Sequence, residues 1–459
     1  MLRRIILLAL LIAGPAEAQS YDVDTRVVLP PTAKAPSGKR ALLVTWVTAQ
    51  EQQDRGKPGQ GYGLGVALVR RSTVLSPKTF PKDGLPVTVK AVPEGASVLA
   101  LLGDHGAIWG MLFGGDPPTL LKAIANRRRG AVTLTLSAPT PPAERAPKPA
   151  GAKRKEPCSG ERFHQVPVEF PALAGTHGNA TTQVLCVVVP ISYATEPRRH
   201  YPVVYVLPGL GGNAKPYLDG KDSVIGVMDR QPAAVQAIVV GVDTKVKTGS
   251  SYLVDSPTTG AWERYITEAV PGTVERQFRA IPRASARLLM GQSTGGFNSI
   301  SLALRRPDVF QAAAASAADG LDFAHWLMGD DGRVRPLWLS WTQMEDALGP
   351  MGQLISYAAD WSPGAGEPGY TWPFDLKTGA LIPDVWKRWQ AQDPNLMVQR
   401  PEVAARTRNL LGGRLFIAAA TRDEFGLYPP AQRFHETLTR LGIDHVWKAY
   451  EGIHSHKVM

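Results

Sequence analysis

The second half of the chain contains short, mostly apolar runs without polar alternation, and segments of helical periodicity lie between them. The runs occupy residues 203–207, 237–242, 287–290, 312–315 and 415–420. Strands that are apolar on both faces suit the interior of a parallel sheet, and the helical segments 262–278, 296–305 and 430–441 supply the crossovers. The pattern predicts a doubly wound, mostly parallel α/β sheet.

Residues 20–137 follow a different pattern, in which short β-rich runs alternate with clusters of glycine, proline and aspartate. The runs lie at 41–48, 64–69, 87–92, 97–102 and 131–136. This spacing is typical of a small all-β sandwich. Residues 138–157 are rich in proline, alanine and lysine and lack an apolar period, which predicts a linker before an α/β domain over 158–459.

The first eighteen residues have the three parts of a signal peptide. Arg3 and Arg4 precede an apolar run over 5–13, and Ala16-Glu17-Ala18 supplies the small residues of a cleavage site. The run is shorter than the ~20 residues that span a bilayer, and no later stretch is long and apolar enough to do so. We therefore expect a secreted or periplasmic protein cleaved near Ala18, without a transmembrane segment.

The composition is that of a folded protein, with 44% hydrophobic and 20% charged residues in a chain of 459. Its formal net charge of +11 raises the question of nucleic-acid binding. The basic residues are scattered, however, apart from 127–129 and a stretch at 148–155 inside the linker, and no nucleic-acid motif accompanies them. We expect a basic exported protein and no nucleic-acid partner.

Cys158 and Cys186 are the two cysteines of the chain. An even count in an exported protein favours a disulfide between them, and two buried thiols are the alternative.

Residues 291–295 read Gly-Gln-Ser-Thr-Gly and connect the predicted strand 287–290 to a predicted helix. A serine on so tight a strand-to-helix turn takes a strained backbone conformation, and the residues two before and two after it must be almost free of side chain. Gly291 and Gly295 meet that need. The motif predicts Ser293 as a nucleophile, and a chance glycine-serine turn is the alternative.

A serine hydroxyl needs a base and a group that orients the base. Asp423 follows the strand 415–420, and His454 follows a further strand at 446–450 across a glycine-containing loop. In this class of fold the order along the chain is serine, acid, histidine. We therefore expect Asp423 as the acid and His454 as the base for Ser293.

Competing residues lie close to both positions. Glu424 could replace the acid, and His456 could replace the base. His435 falls within a predicted helix and His445 at a strand start, which suggests structural roles. A histidine pair at 454 and 456 could bind a metal ion, but no third ligand is evident, so we expect neither a metal nor an organic cofactor.

An oxyanion formed during acyl transfer needs backbone N–H donors. The N–H of Thr294, directly after the nucleophile, is one candidate. Leu210, in the glycine-rich loop 208–212 after the strand 203–207, is the other. A phosphate-binding loop is the alternative, but the Lys-Ser/Thr ending of that motif is missing.

With these motifs, residues 158–459 resemble the putative-esterase family, which includes feruloyl esterases, S-formylglutathione hydrolases, siderophore esterases and mycolyltransferases. The matching motifs lie at 201–212, 262–268 with Pro271, 291–296, 420–425 and 451–454. The resemblance implies an α/β-hydrolase fold, the triad Ser293, Asp423 and His454, and the oxyanion donors Leu210 and Thr294. Residues 20–157 match no family that we can name.

A long insertion at 319–398 precedes the strand that carries Asp423. It holds seven of the eleven tryptophans, at 326, 338, 341, 361, 372, 386 and 389. Long loops at this edge of the sheet are usually functional, so we expect a lid or rim over Ser293 that sets acyl or sugar specificity. For any single tryptophan, a place in the insertion's own core is the stronger expectation.

The expected activity is hydrolysis of a small-molecule or polysaccharide-linked ester with a carbohydrate or aromatic acyl part, through an acyl-enzyme. Cytosolic S-formylglutathione hydrolysis fits poorly with a signal peptide and a disulfide. Acyl transfer of the mycolyltransferase type, with the same triad, is the first alternative. A non-catalytic binding protein on a hydrolase fold is the second, and the oligomeric state stays open.

Overall fold

The computed structural model divides the chain into two units, one that ends at Glu144 and one that begins at Arg145. It describes residues 20–31, 33, 38–49, 72–77, 79–104, 106–108, 120–126, 131–137, 158–218, 223–349, 352–423 and 425–454. The predicted signal peptide, the strand at 64–69 and the linker at 138–157 lie outside these residues. Within the described ranges, no helix has the length and apolar character needed to cross a membrane.

The first unit contains two sheets that share one apolar core. The strands are β1 Ser20–Val28, β2 Arg40–Val47, β3 Thr73–Leu75, β4 Leu85–Pro93, β5 Ser97–Asp104, β6 Leu121–Asn126 and β7 Val132–Thr135. One sheet has the order β4-β1-β7 and the other β3-β2-β5-β6. Along β1 exposed residues alternate with buried Val23, Thr25 and Val27, and the core draws residues from both sheets. The predicted all-β character of this region is confirmed.

The second unit is built on one large sheet. Its strands and short hairpins are β8 Phe163–Glu169, β9 Thr182–Val188, β10 Val203–Leu207, β11 Ile238–Gly241, β12 Lys245–Val246, β13 Gly249–Ser250, β14 Asp255–Ser256, β15 Gly260–Ala261, β16 Arg287–Gln292, β17 Ala312–Ser316, β18 Leu415–Ala420 and β19 Val446–Tyr450. Among the described residues the sheet order is β19-β18-β17-β16-β10-β11-β9-β8. The six strands from β19 to β11 are parallel, and β9 and β8 add antiparallel pairs.

Helices connect the parallel strands, as the apolar pattern predicts. They are α1 Val224–Asp229, α2 Trp262–Arg264, α3 Val270–Gln277, α4 Thr294–Arg305, α5 Phe323–Leu327, α6 Pro336–Leu348, α7 Gln353–Trp361, α8 Pro383–Gln390, α9 Pro394–Val398, α10 Pro401–Leu411 and α11 Tyr428–Arg440. A π-helical turn, Tyr265–Ala269, joins α2 to α3. Together with the sheet they form the α/β-hydrolase fold.

The sequence pattern did not predict strands β8 and β9. Strand β8 buries only Val166 and Val168 and leaves most of its other residues open to solvent. Its seven residues include Pro167, which is tolerated here because β8 lies at the edge of the sheet. A short, half-exposed strand with a proline lacks the continuous apolar run that identifies the buried strands.

The two cysteines form the predicted disulfide. Cys158 and Cys186 are bonded, with their Cα atoms 5.7 Å apart and 28 residues apart in sequence. Because Cys186 lies in β9, the bridge ties residue 158 to the antiparallel end of the sheet. The alternative of two buried thiols is therefore wrong.

The insertion at 319–398 folds into helices α5 to α9 around its own aromatic core. Six of its seven tryptophans are buried, and Trp372 is half-buried. At the centre of this core, the ring of Trp361 stacks on Tyr357 at 4.1 Å and on Phe323 at 5.1 Å. A place in the insertion's own core therefore accounts for the position of the six buried tryptophans.

Buried carboxylates join the insertion to the loops that follow β11. The Asp360 carboxylate, at the end of α7, accepts hydrogen bonds from the hydroxyl groups of Ser251 and Thr259 and from the N–H of Tyr252. Burial raises the pKa of Asp360 to about 7. The insertion is thus bonded into the interior of the second unit.

Removing the disulfide should destabilise the second unit. We expect Cys158→Ser and Cys186→Ser each to lower the free energy of unfolding by ~3 kcal/mol, because the unfolded chain regains the entropy of an open loop. Urea denaturation of the oxidised wild type and of both variants measures the difference. Wild type under reducing conditions is the control and should unfold like the variants, and equal stability of all samples would contradict the expectation.

The pH dependence of stability should reveal the buried Glu345. Its carboxyl accepts from the N–H groups of Leu354 and Ile355 at the start of α7, and burial raises its pKa from 4.5 to about 8. The folded state therefore keeps a proton that the unfolded state has released above pH ~4.5, so stability falls as the pH rises towards 8. Asp360 and Asp393, with pKa values of about 7, act in the same direction at lower pH.

We expect Glu345→Gln to flatten this decline, most clearly between pH 7 and 8, where the two aspartates contribute little more. Thermal unfolding measured across that range tests the prediction. The control is Glu402→Gln, which changes an exposed glutamate on α10 and should leave the pH dependence intact. A parallel decline in wild type and Glu345→Gln would show that this carboxyl is not the cause.

Candidate active site

Ser293 occupies a strained turn between β16 and α4. Its φ and ψ are 58° and −126°, a conformation that residues with side chains rarely adopt. A Cβ atom at Gly295 would lie 2.0 Å from the carbonyl oxygen of Leu207, and one at Gly291 would lie 2.5 Å from it. Only glycine fits at these two positions, and the turn lifts Ser293 above the carboxyl end of the sheet.

Asp423 and His454 lie together at the same edge of the sheet. Asp423 comes three residues after β18, and its side chain is 1% exposed. Its Oδ2 atom lies 2.8 Å from His454 Nδ1, and its Oδ1 accepts from the N–H of Phe425 at 2.9 Å. Because a carboxylate can only accept hydrogen bonds, this contact places the proton of a neutral imidazole on Nδ1 and leaves Nε2 unprotonated.

The His454 loop is fastened to the residue before the nucleophile. The side-chain amide of Gln292 donates to the carbonyl oxygen of His454 at 2.6 Å. The ring of Phe425 packs edge-on against the imidazole, with centroids 4.9 Å apart. The imidazole is thus held from several sides next to the elbow.

The competing residues divide into two groups. Glu424 and His456 lie outside the described residues. His435 and His445 contact each other, with Nδ1 and Nε2 2.7 Å apart, and His435 stacks on Trp447. These two histidines form a separate cluster, with His435 on α11 and His445 directly before β19.

The loop after β10 presents backbone N–H groups next to Ser293. Three of them have partners: Gly209 donates to Tyr217 Oη at 3.2 Å, Gly211 to Ser250 Oγ at 2.9 Å, and Gly212 to Gly209 O at 3.1 Å. The N–H of Leu210 has no acceptor among the described residues. Leu210 is only partly buried, so its N–H is open to an oxygen atom from outside the protein.

Thr294 is the first residue of α4, so its N–H has no partner within the helix. The partial positive charge of the helix N-terminus lies at the same point. For both backbone N–H groups that the sequence indicated, no acceptor is present among the described residues; their role stays a prediction.

A further carboxylate, Asp319, contacts the nucleophile directly. It is 2% exposed, and its Oδ1 lies 3.2 Å from Ser293 Oγ. Its Oδ2 accepts from the hydroxyl groups of Thr294 at 2.8 Å and Tyr252 at 2.9 Å. Burial raises the pKa of Asp319, and the hydroxyl donors together with the charge of His454 oppose that rise.

Sequence reasoning missed Asp319, although a signal was present. Asp319 comes three residues after β17, just as Asp423 comes three residues after β18. The residue was assigned to the start of the insertion and so was not considered as part of the strand edge. Tyr252, in the loop between β13 and β14, carries no comparable signal, because only the fold brings it to Asp319.

The site holds a serine hydroxyl, a histidine–carboxylate pair and backbone N–H groups, which are the kinds of group that acyl transfer through a serine requires. In the described part of the chain, no three histidine, cysteine, aspartate or glutamate side chains form a group suited to a metal ion.

Solved structures of similar fold include several hydrolases. A ferulic acid esterase has a TM-score of 0.44 and 17% identity, over 64% of this chain and 90% of that one. The fluorophosphonate-binding serine hydrolase F of Staphylococcus aureus has a TM-score of 0.43 and 16% identity, over 64% and 91%. An S-formylglutathione hydrolase from Agrobacterium tumefaciens has a TM-score of 0.40 and 18% identity, over 65% and 90%.

A comparison with curated protein sequences finds no match. The family model described as putative esterase matches residues 181–457, which is more than half of the chain. The match includes the elbow at Ser293 and the Asp423–His454 pair. The chain belongs to the putative esterase family of α/β-hydrolases.

Proposed function

We propose that this protein is an exported serine esterase that hydrolyses carboxylic esters through an acyl-enzyme on Ser293. One arrangement carries the proposal: a serine in the strained elbow conformation, with the Asp423–His454 pair fastened beside it through Gln292. The disulfide between Cys158 and Cys186 supports export, because such bonds persist in oxidising compartments.

In the first step, His454 Nε2 takes the proton of Ser293 as Oγ attacks the ester carbonyl carbon. The carbonyl oxygen becomes an oxyanion that accepts hydrogen bonds from the N–H groups of Leu210 and Thr294. The carboxylate of Asp423, at Nδ1, stabilises the positive charge that develops on the imidazole.

In the second step, the tetrahedral intermediate collapses and the bond to the alcohol oxygen breaks. His454 returns its proton to that oxygen, the alcohol leaves, and the acyl group stays on Ser293. A water molecule then attacks the acyl-enzyme while His454 takes one of its protons. Collapse of the second intermediate releases the carboxylic acid and restores the Ser293 hydroxyl.

The proposed substrates are esters with an aromatic acyl group or a carbohydrate part. Phe425 is half-exposed beside His454 and presents a flat apolar face at the site. Two tryptophans of the insertion support it: Trp326 donates its indole N–H to the carbonyl oxygen of Phe425 at 3.2 Å, and Trp341 packs near its ring. The insertion thus acts as a rim that backs the histidine side of the site.

Loss of any member of the triad should disable the enzyme. We expect Ser293→Ala and His454→Ala each to lose at least ~10³-fold in turnover, since the residues act as one unit. Asp423→Asn should also be severely impaired, because the imidazole loses the carboxylate that fixes its proton on Nδ1. Hydrolysis of p-nitrophenyl acetate measures turnover, and a fluorophosphonate probe should label the wild type and not Ser293→Ala.

The control is His435→Ala, which removes a histidine of the second unit that contacts His445 and should retain most activity. Near-normal turnover of His454→Ala together with an inactive His456→Ala would overturn the assignment of the base. Product analysis with added glycerol also tests the reaction type: the proposal requires the free acid, whereas a glyceryl ester would favour acyl transfer.

Changing Phe425, which the insertion backs, should alter the preference among substrates more than the rate of ester hydrolysis itself. We expect Phe425→Ala to lower kcat/KM for feruloyl and other bulky esters by about tenfold, the loss of ~1.4 kcal/mol of apolar contact, with a smaller effect on p-nitrophenyl acetate. The matched control is Trp372→Ala, since Trp372 is a half-buried aromatic residue of the insertion itself that packs on Tyr370 and Phe374. An unchanged ranking of esters in folded Phe425→Ala would exclude Phe425 from substrate recognition.

A further inference from the structure

Asp319 has no part in the triad, yet its carboxylate is in hydrogen-bond contact with the nucleophile. We propose that Asp319 is a further catalytic residue: a second carboxylate that contacts the Ser293 hydroxyl in the resting site and stabilises the positively charged His454 formed in the transition state. This inference rests on the proposed esterase function and adds a second counter-charge to the base.

Two hydrogen bonds, one from the backbone and one to the side chain, fix the position of Asp319 relative to Ser293. The backbone N–H of Asp319 donates to the carbonyl oxygen of Ser293 at 3.1 Å, and the side-chain Oδ1 lies 3.2 Å from Ser293 Oγ. At 2% exposure, the carboxylate cannot turn away into solvent. Its distance from the reacting oxygen is therefore set by the fold and not by a flexible side chain.

The charge of Asp319 lacks a permanent counter-ion. Among the described residues, its hydrogen-bond donors are the hydroxyl groups of Ser293, Thr294 and Tyr252, and none of them is a cation. A buried carboxylate is costly unless it is paired. The cation that acts on it is His454, whose charge lowers the pKa of Asp319. Because such an interaction is mutual, an ionised Asp319 favours the charged form of His454 by the same amount.

The two oxygen atoms of the Asp319 carboxylate accept hydrogen bonds from different partners. Tyr252 and Thr294 both donate to Oδ2, whereas Ser293 faces Oδ1. When the Ser293 hydroxyl turns to His454 and loses its proton, the two donors on Oδ2 remain and favour the ionised form of the carboxylate. The imidazolium then has Asp423 at Nδ1 and the charge of Asp319 on the side of the nucleophile.

The insertion holds this second carboxylate in place. The ring of Tyr252 packs against Tyr357 at 4.2 Å and Trp361 at 5.3 Å, both on α7. Burial raises the pKa values of Tyr252, Tyr357 and Tyr217, so the phenols that face Asp319 stay neutral at the pH of an assay. Among the described residues, the Asp423 carboxylate is the charged group bonded to the imidazole.

The pH profile of Asp319→Asn tests the inference, with p-nitrophenyl acetate as substrate. A neutral side chain at 319 no longer favours the charged imidazole, so the acid limb of kcat/KM should move to lower pH by about one unit. A shift of one pH unit and a tenfold change in rate correspond to the same free energy. Because the variant loses that stabilisation of the charged imidazole in the transition state, kcat should be approximately tenfold lower. KM should change by less than about twofold, because the proposed role of Asp319 is to act on Ser293 and His454 and not on the substrate.

The control is Asp322→Asn, which removes another buried carboxylate of the same segment. Asp322 bonds Arg433 at 2.8 Å and not Ser293, so its variant should keep the acid limb of the wild type. Thermal unfolding establishes that each variant is folded. If Asp319→Asn does not fold, Asp319→Ser supplies the same neutral comparison with a smaller side chain.

If Asp319→Asn or Asp319→Ser is folded and its acid limb lies at the same pH as that of the wild type, the inference is overturned. In that case, loss of activity in Ser293→Ala in the same assay would still support the esterase function. Equal shifts in the Asp319 and Asp322 variants also overturn it, because any buried carboxylate would then have the effect. A wild type that hydrolyses no ester and takes no fluorophosphonate label would contradict the proposed function, and the inference with it.

Discussion

The site depends on the close approach of β10 to the turn between β16 and α4. The carbonyl oxygen of Leu207 occupies the space that a side chain at Gly291 or Gly295 would need, so the turn closes only on glycine. That closure drives Ser293 to a positive φ, which is energetically unfavourable for a residue with a side chain. The strain is sustained because α4 is buried at every residue except Arg305, and this anchoring holds the serine above the sheet.

Buried polar groups connect elements that lie far apart in sequence. The aromatic core of the insertion packs on Tyr252, the Asp360 carboxylate binds the backbone at the same residue, and Tyr252 in turn donates to Asp319. The insertion, which the sequence sets apart from the sheet, therefore helps to position the residues that contact Ser293. Such a network is rigid when every donor and acceptor is satisfied, since each unsatisfied buried group would be costly.

The sequence predicts best where one local pattern decides the structure. The buried parallel strands, the elbow at Ser293 and the disulfide partners follow from apolar runs, glycine spacing and cysteine count. Strand β8 was missed because half of it faces solvent, and Asp319 because its role requires a neighbouring strand and a tyrosine 67 residues away. Contacts of that kind arise from tertiary packing, which periodicity and motif spacing do not encode.

Strand β19, which leads to His454, is the outermost strand at its end of the sheet and the least buried of the parallel strands. The end of the strand and the residues after it are held by a few hydrogen bonds, from Thr421 to Tyr450, from Arg422 to Gly452, and between His454 and both Gln292 and Asp423. Elements with few buried contacts open at a lower free-energy cost than the rest of a domain. Local unfolding of this one edge would therefore move the imidazole away from Ser293, and if the proposed esterase function holds, inactivation on heating would precede the loss of the sheet.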